Sequence, residues 1–121
     1  MSSRPRSIVV AYDDSDASGR ALDAAADRVG YATSLSVVHV RTADMPGHSA
    51  VEGAREHLMG RRVTARYLER VGRADEEVVA AARETGADLL VVGSRNGEGA
   101  DLGSTSSSIL RSAPCDVLVV N

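Results

Sequence analysis

The chain contains no phenylalanine, no tryptophan and no lysine, and only one cysteine. Each absence removes a class of function. Without Phe or Trp, and with three Tyr in 121 residues, there is no set of flat rings on which the bases of a nucleic acid would stack. Without lysine there is neither a Walker P-loop nor a Schiff-base or catalytic lysine. All 14 basic residues are arginine, a usage that genome base composition alone can produce. The lone Cys115 has no internal disulfide partner and suits a reducing compartment. No apolar run approaches the roughly 20 residues of a membrane span, and the N-terminus shows no secretory apolar region. A net charge of −3 gives little general attraction for DNA or anionic membranes. The expectation is a soluble cytoplasmic protein with neither a nucleic-acid nor a membrane partner.

What is present is aliphatic. Apolar residues make up 43 % of the chain, and the core must be built from Val, Leu, Ile and Ala. The length fits one domain, 7–121, preceded by a loose basic arm at 1–6. Ser7–Tyr12 is a β-branched run, followed by the turn and N-cap residues of Asp13–Ser18. Leu22, Ala25, Ala26 and Val29 then form the stripe of an amphipathic helix that Gly30 can end. Ser34–Val40 reads as a second strand. Arg41–Ser49 is a loop, and Ala50–Met59 a short helix with Val51, Ala54 and Leu58 on one side. Val63–Leu68 reads as a third strand, with Val63, Ala65 and Tyr67 on one face. Ala74–Glu84 is a helix with three acids in its first turn, where they complement the dipole. Asp88–Val92 is a continuous apolar strand, Gly93–Leu102 a Gly-rich loop, Gly103–Ser112 a helix ended by Pro114, and Val117–Val120 the last strand.

Five strands alternating with about four helices predict an α/β protein, an open, doubly wound, Rossmann-like parallel sheet of order 3-2-1-4-5. Ligands of such sheets bind beyond the carboxyl ends of the strands, at the switch point. The loops after the first, second and fourth strands are therefore the ones to search. A phosphate needs N–H donors converging without side chains in the way, and glycines between a strand and a helix provide this. Gly93, Gly97, Gly99 and Gly103 stand in that context, and Arg95 adds a fixed positive charge. Glu98 and Asp101 oppose it by repelling a polyphosphate unless a cation intervenes. The competing reading is a Gly-rich connection with Ser N-caps that holds nothing. Asp13 ends the first strand beside the switch point, as a ligand group or as a turn carboxylate.

The stretch Asp88–Val120 resembles the C-terminal half of universal stress proteins. The matching features are Gly93-Ser94, the glycine-rich loop, Gly103-Ser104, Ala113-Pro114-Cys115 and Val117–Val120. Asp13 and Ser15 after the first strand, the Ala-rich helix and Val37-Val38-His39-Val40 are similar to the family too. The resemblance implies a stress-response or regulatory module that binds ATP or AMP with Mg²⁺ and has at most slow ATP hydrolysis. It also implies a homodimer made through the edge strand Val117–Val120. It places a ribose hydroxyl or a cation at Asp13, the adenine at the backbone of Val40, and phosphates at Gly93, Gly103, Ser104 and Ser106. ATP-binding members space their loop as Gly, two residues, Gly, nine residues, then Gly-Ser or Gly-Thr. Here the middle position falls on Asn96, beside Gly97, and six residues separate Asn96 from Gly103. Asn tolerates positive φ, so the turn is available; the loop is shorter than the pattern by about three residues.

Two alternatives stand beside this reading. One is a homodimeric interaction protein of the same fold that binds no nucleotide. The other is an enzyme of the adenine-nucleotide α-hydrolase-like fold, against which the Asp-rich segment Asp13–Ser18 counts. No metal site is expected, since His39, His48 and His57 are nine apart and do not share a helical face. His39 reads as a satisfied strand residue, His48 and His57 as solvated, and Cys115 as buried.

Overall fold

Ser7–Ala11 (β1) is a run of small branched residues whose central three side chains are shielded on both faces, as the middle of a parallel sheet requires. The computed structural model describes residues 4–41, 50–94 and 104–121. Within them β1 pairs in parallel with β2 (Ser34–Arg41) on one side and β4 (Leu89–Gly93) on the other. β3 (Arg66–Val71) lies outside β2, and β5 (Asp116–Val120) outside β4. The order is β3-β2-β1-β4-β5, all parallel, as the alternation of strands and helices predicts.

The side-chain alternation of β1 divides the core. Ile8 and Val10 join Leu35, Val37 and Val91 beneath α1 (Asp16–Ala26) and α2 (Val51–Gly60). Val9 points the other way and joins Val38, Leu90 and Val92 beneath α3 (Ala74–Thr85) and α4 (Ser104–Ser112). The helices contribute mostly alanine: Ala21 and Ala25 from α1, Ala81 and Ala82 from α3. Tyr12 is the one buried aromatic residue among those described, so the helices meet the sheet almost entirely through small aliphatic side chains.

Local signals account for the ends. Ser15 caps α1, and Ser18 reciprocates by accepting from the Ser15 N–H at 3.1 Å, a closed capping box. α3 carries Asp75, Glu76 and Glu77 in its first turn and ends on Gly86 at φ 64, the left-handed conformation glycine adopts without penalty.

Two boundaries and one burial expectation depart from the sequence reading for reasons the structure shows. α1 stops at Ala26 with Asp27 as its C-cap, four residues before Gly30. Gly30 serves a different contact. Its bare Cα receives the Arg4 stem, and a Cβ there would lie 2.6 Å from the Arg4 Cδ. β3 begins at Arg66 rather than Val63. The Val63 N–H is still committed to the Leu58 carbonyl at 3.0 Å, closing α2 after Arg62 has turned through φ 59. Val63, Ala65 and Tyr67 nonetheless pack on one cluster, as their alternation implies. Cys115 is only half-buried, because it enters an edge strand with no neighbour on its outer side. At the N-terminus, Arg4 donates to the Asp27 carbonyl, Pro5 accepts from Thr33, and the Arg6 N–H donates to Asp88.

α2 forms with Val51, Ala54 and Leu58 buried, the side that the sequence pattern assigns to it. Leu58 is completely shielded between the sheet and α1. Replacing it by alanine should lower unfolding free energy by roughly 2–5 kcal/mol, read from urea denaturation; a loss under about 1 kcal/mol would show that α2 is not part of the cooperative core.

Candidate functional site

β1 lies between β2 and β4, so the chain leaving β1 turns toward β2 while the chain leaving β4 turns toward β5. The two connections diverge and leave a crevice beyond the carboxyl ends of β1 and β4. Four pieces of chain meet there: Tyr12–Ser15 after β1, the end of β2 at Val40 and Arg41, Gly93-Ser94 after β4, and the first turn of α4.

Asp13 is exposed and organises its own turn. Its Oδ1 accepts from the Ser15 N–H at 3.1 Å and from the Ser15 hydroxyl. Its backbone N–H donates to the Ser18 Oγ at 3.3 Å. The chain then passes through Asp14 at φ 66, a left-handed conformation that Asp tolerates better than most side chains. The Asp14 carboxylate accepts from the Tyr12 hydroxyl at 3.0 Å. Burial, with help from that bond and from the negative charge of Asp14, pushes the Tyr12 phenol up to about 12, so it stays protonated at any physiological pH. The Tyr12 carbonyl accepts at 2.8 Å from the Nδ1 of His39, a buried ring whose tautomer is thereby set with the proton on Nδ1. His39 is the satisfied strand residue that its position implies. Sequence reasoning left Tyr12 and His39 out of the site; the order of residues gives no sign that an imidazole reaches across to the neighbouring strand.

Gly93 has a structural reason to be glycine. A Cβ there would lie 2.5 Å from the Ala17 carbonyl oxygen and 2.6 Å from its carbon. The amino-terminal turn of α1 therefore rests on the end of β4. Because Ser18, in that same turn, also receives the Asp13 N–H, the approach brings Asp13 and Gly93 to one place. The Gly93 carbonyl accepts from the Ser106 hydroxyl at 3.4 Å, which ties the start of α4 to the same point. Ser106 is buried in that role. Ser94 follows, with its N–H donated to the Val120 carbonyl at 2.7 Å.

α4 is held from its other sides as well. The Ser108 hydroxyl donates to Asp75 at 2.7 Å, and Arg83 donates to the Ser112 carbonyl at 3.3 Å. The Ser108 bond is the main reason that the Asp75 carboxyl sits below the usual carboxylate range. The amino end of α4 is thus fixed toward the crevice, and its first-turn N–H groups are the phosphate-compatible feature of the site.

Of the residues the sequence singles out, Asp13, Gly93 and Ser106 meet around the first turn of α1 and the end of β4. Val40 stands one strand away, half-buried, its side chain part of the core beneath α3 and α4. Arg95, Asn96, Gly97 and Gly103 lie outside the described residues, as do Gly99, Glu98, Asp101 and His48. Ser104 begins α4. His57 is exposed, as expected, and from the surface it meets Asp23 of α1 at 2.7 Å and, with Arg61, joins α2 to α1 far from the crevice. Among the described residues no group of three or more His, Cys, Asp or Glu is placed to hold a metal ion, and no helix is long and apolar enough to cross a membrane.

A model of the universal stress protein family matches residues 5–121. The chain belongs to that family. A universal stress protein solved in complex with cAMP shares 28 % identity, with 98 % of each chain covered and a TM-score of 0.84. A family member from Burkholderia pseudomallei shares 27 %, with 95 % of each chain covered and a TM-score of 0.70. An Arabidopsis thaliana family protein with AMP bound has the same fold at 18 % identity, covering 96 % of this chain and 91 % of its own, with a TM-score of 0.74. No match was found among curated proteins.

The universal stress protein fold here depends on the approach of α1 to Gly93. Gly93→Ala should cost about 1–3 kcal/mol in urea denaturation, since the methyl would have to displace helix backbone. An unchanged midpoint would contradict the close approach.

Proposed function

We propose that this universal stress protein binds an adenine nucleotide in the crevice between Asp13, the end of β4 and the amino end of α4, and acts as a binding module in a stress or regulatory response. The observation that carries the reading is its likeness, over nearly the whole chain, to a universal stress protein solved in complex with cAMP. The chemistry of the crevice supports it. A helix N-terminus such as that of α4 suits a phosphate, and Asp13, in the turn after β1, carries a carboxylate suited to a ribose hydroxyl. Tyr12 is held protonated, so its phenol supplies no base, and the Nδ1 proton of His39 is committed to the Tyr12 carbonyl.

The segment 95–103 carries Glu98 and Asp101 and is short for a triphosphate. A single phosphate, as in cAMP or AMP, meets less repulsion there than ATP does, and Mg²⁺ is the counter-charge that ATP would need. The same two acids favour a second reading, an interaction protein of this fold that holds no nucleotide. One experiment separates the two. The purified protein is heat-denatured and its supernatant assayed for nucleotide; cAMP, AMP and ATP are then titrated calorimetrically, with and without Mg²⁺. The expected result is micromolar or tighter binding of cAMP or AMP, and ATP binding that improves with Mg²⁺. No carried nucleotide and no binding below millimolar would leave the interaction protein.

The functional unit of this proposal is a homodimer formed through Val117–Val120. β5 is a sheet edge, and its four apolar residues are each half-buried. In a parallel pair, alternate residues direct both backbone groups to the same neighbour. Val120 accepts from Ser94, so Leu118 and Val120 serve β4 while Val117 and Val119 turn their N–H and C=O outward. Val119→Pro removes an outward N–H and leaves the β4 ladder intact. Analytical ultracentrifugation should show a folded monomer; a persisting dimer would place the contact elsewhere.

A further inference from the structure

Among the described residues, Ser94 Oγ is the one fully buried side-chain N or O atom without a hydrogen-bond partner. Other buried polar groups around the crevice are paired: Ser18 in the capping box, His39 on the Tyr12 carbonyl, Ser106 on the Gly93 carbonyl. The Ser94 backbone is paired too, through its N–H to Val120. Ser94 itself is 1 % exposed. A buried hydroxyl with no partner destabilises the chain that carries it, and alanine would fill the same place without that penalty.

Its position gives the hydroxyl a use. Side chains alternate along β4: Val91 packs toward α1, while Leu90 and Val92 pack toward α3 and α4. Gly93 faces α1, as its approach to Ala17 shows, so Ser94 faces the α4 side. It is the first residue past the end of β4, next to the carbonyl that anchors Ser106 in the first turn of α4. The first-turn N–H groups of α4 are donors, and the Ser94 hydroxyl can be a further donor to the same acceptor. A phosphate presents acceptors only, and several of them.

We propose that the Ser94 hydroxyl is a phosphate-binding group of this site, kept unpaired in the free chain and paired by a phosphate oxygen when the nucleotide enters. This rests on the reading that an adenine nucleotide binds in the crevice. It makes Ser94 a residue at which stability of the free protein is exchanged for affinity.

The test measures wild type, Ser94→Ala and Ser94→Thr, each as the full chain. Thermal unfolding of the free protein is followed first, then calorimetric titration with AMP, cAMP and adenosine. Ser94→Ala should melt at or above the wild-type temperature, bind AMP and cAMP about tenfold more weakly, and lose little affinity for adenosine, which has no phosphate. Ser94→Thr, which keeps the hydroxyl, should recover most of the phosphate-dependent affinity. If wild type binds AMP or cAMP and Ser94→Ala binds them equally well, the proposal is overturned while nucleotide binding stands. A Ser94→Ala melting point several degrees below wild type would overturn it as well, by showing that the hydroxyl is paired in the free chain. If wild type binds none of the three ligands, the nucleotide reading itself falls and takes the proposal with it.

Discussion

The approach of the α1 backbone to Gly93 is the constraint on which the carboxyl end of this sheet depends. Ala17 presses its carbonyl group against a Cα that carries no side chain, and three other arrangements follow from it. The capping box at Ser15 and Ser18 is set at the mouth of the crevice. Asp13 is drawn in through the Ser18 hydroxyl. Gly93 keeps its carbonyl available to Ser106, so that α4 starts where α1 starts. Two helices on opposite faces of the sheet are thereby registered to each other through one glycine. A residue that a loop-based reading assigns to a ligand is first of all the hinge-pin of the packing.

The core follows from the same preference for small side chains. Alanines from α1 and α3 meet valines and isoleucine from β1, β2 and β4, and every buried residue of β1 is β-branched. Such a core gains less area per residue than an aromatic one. Charged groups then fasten the outer helices. Arg61 and His57 hold α2 to Asp23 and Asp27 of α1, and Arg70 of β3 pairs with Glu84 and Glu77 of α3. The first set holds the Asp23 carboxyl, and Arg70 holds the Glu84 carboxyl, below the usual carboxylate range. These contacts are substantially exposed, where single ion pairs add little, so they orient the helices more than they stabilise them.

Much of this was legible in the residue order. The alternation of β-branched runs with Ala-rich amphipathic segments carries the strand order, because right-handed crossovers leave few other topologies. The buried side of α2 is legible from Val51, Ala54 and Leu58. Boundaries that depend on distant partners are not. Gly30 looks like a helix stop, yet it serves the Arg4 stem. The apolar alternation at Val63 begins before the ladder does, because Val63 first closes α2. Cys115 beside an apolar strand looks buried until the sheet is known to end there. At the site, Asp13 and Gly93 stand out by residue type, whereas Ser94 and His39 acquire their significance from burial and from a neighbour on another strand.

The bond from His39 to the Tyr12 carbonyl has a consequence for the shape of the sheet. The Tyr12 N–H still pairs with the Val38 carbonyl at 2.9 Å, continuing the β1–β2 ladder one residue past β1. The next rung of a parallel ladder would bring the Val40 N–H to the Tyr12 carbonyl. An imidazole from the intervening residue occupies that carbonyl instead. His39 thus acts as a terminator of the seam: it satisfies the last acceptor of β1 from the side and releases the two strands from further pairing. Beyond it the chain of β1 turns through Asp13 and Asp14 into α1, while β2 runs on to Arg41 in register with β3 alone.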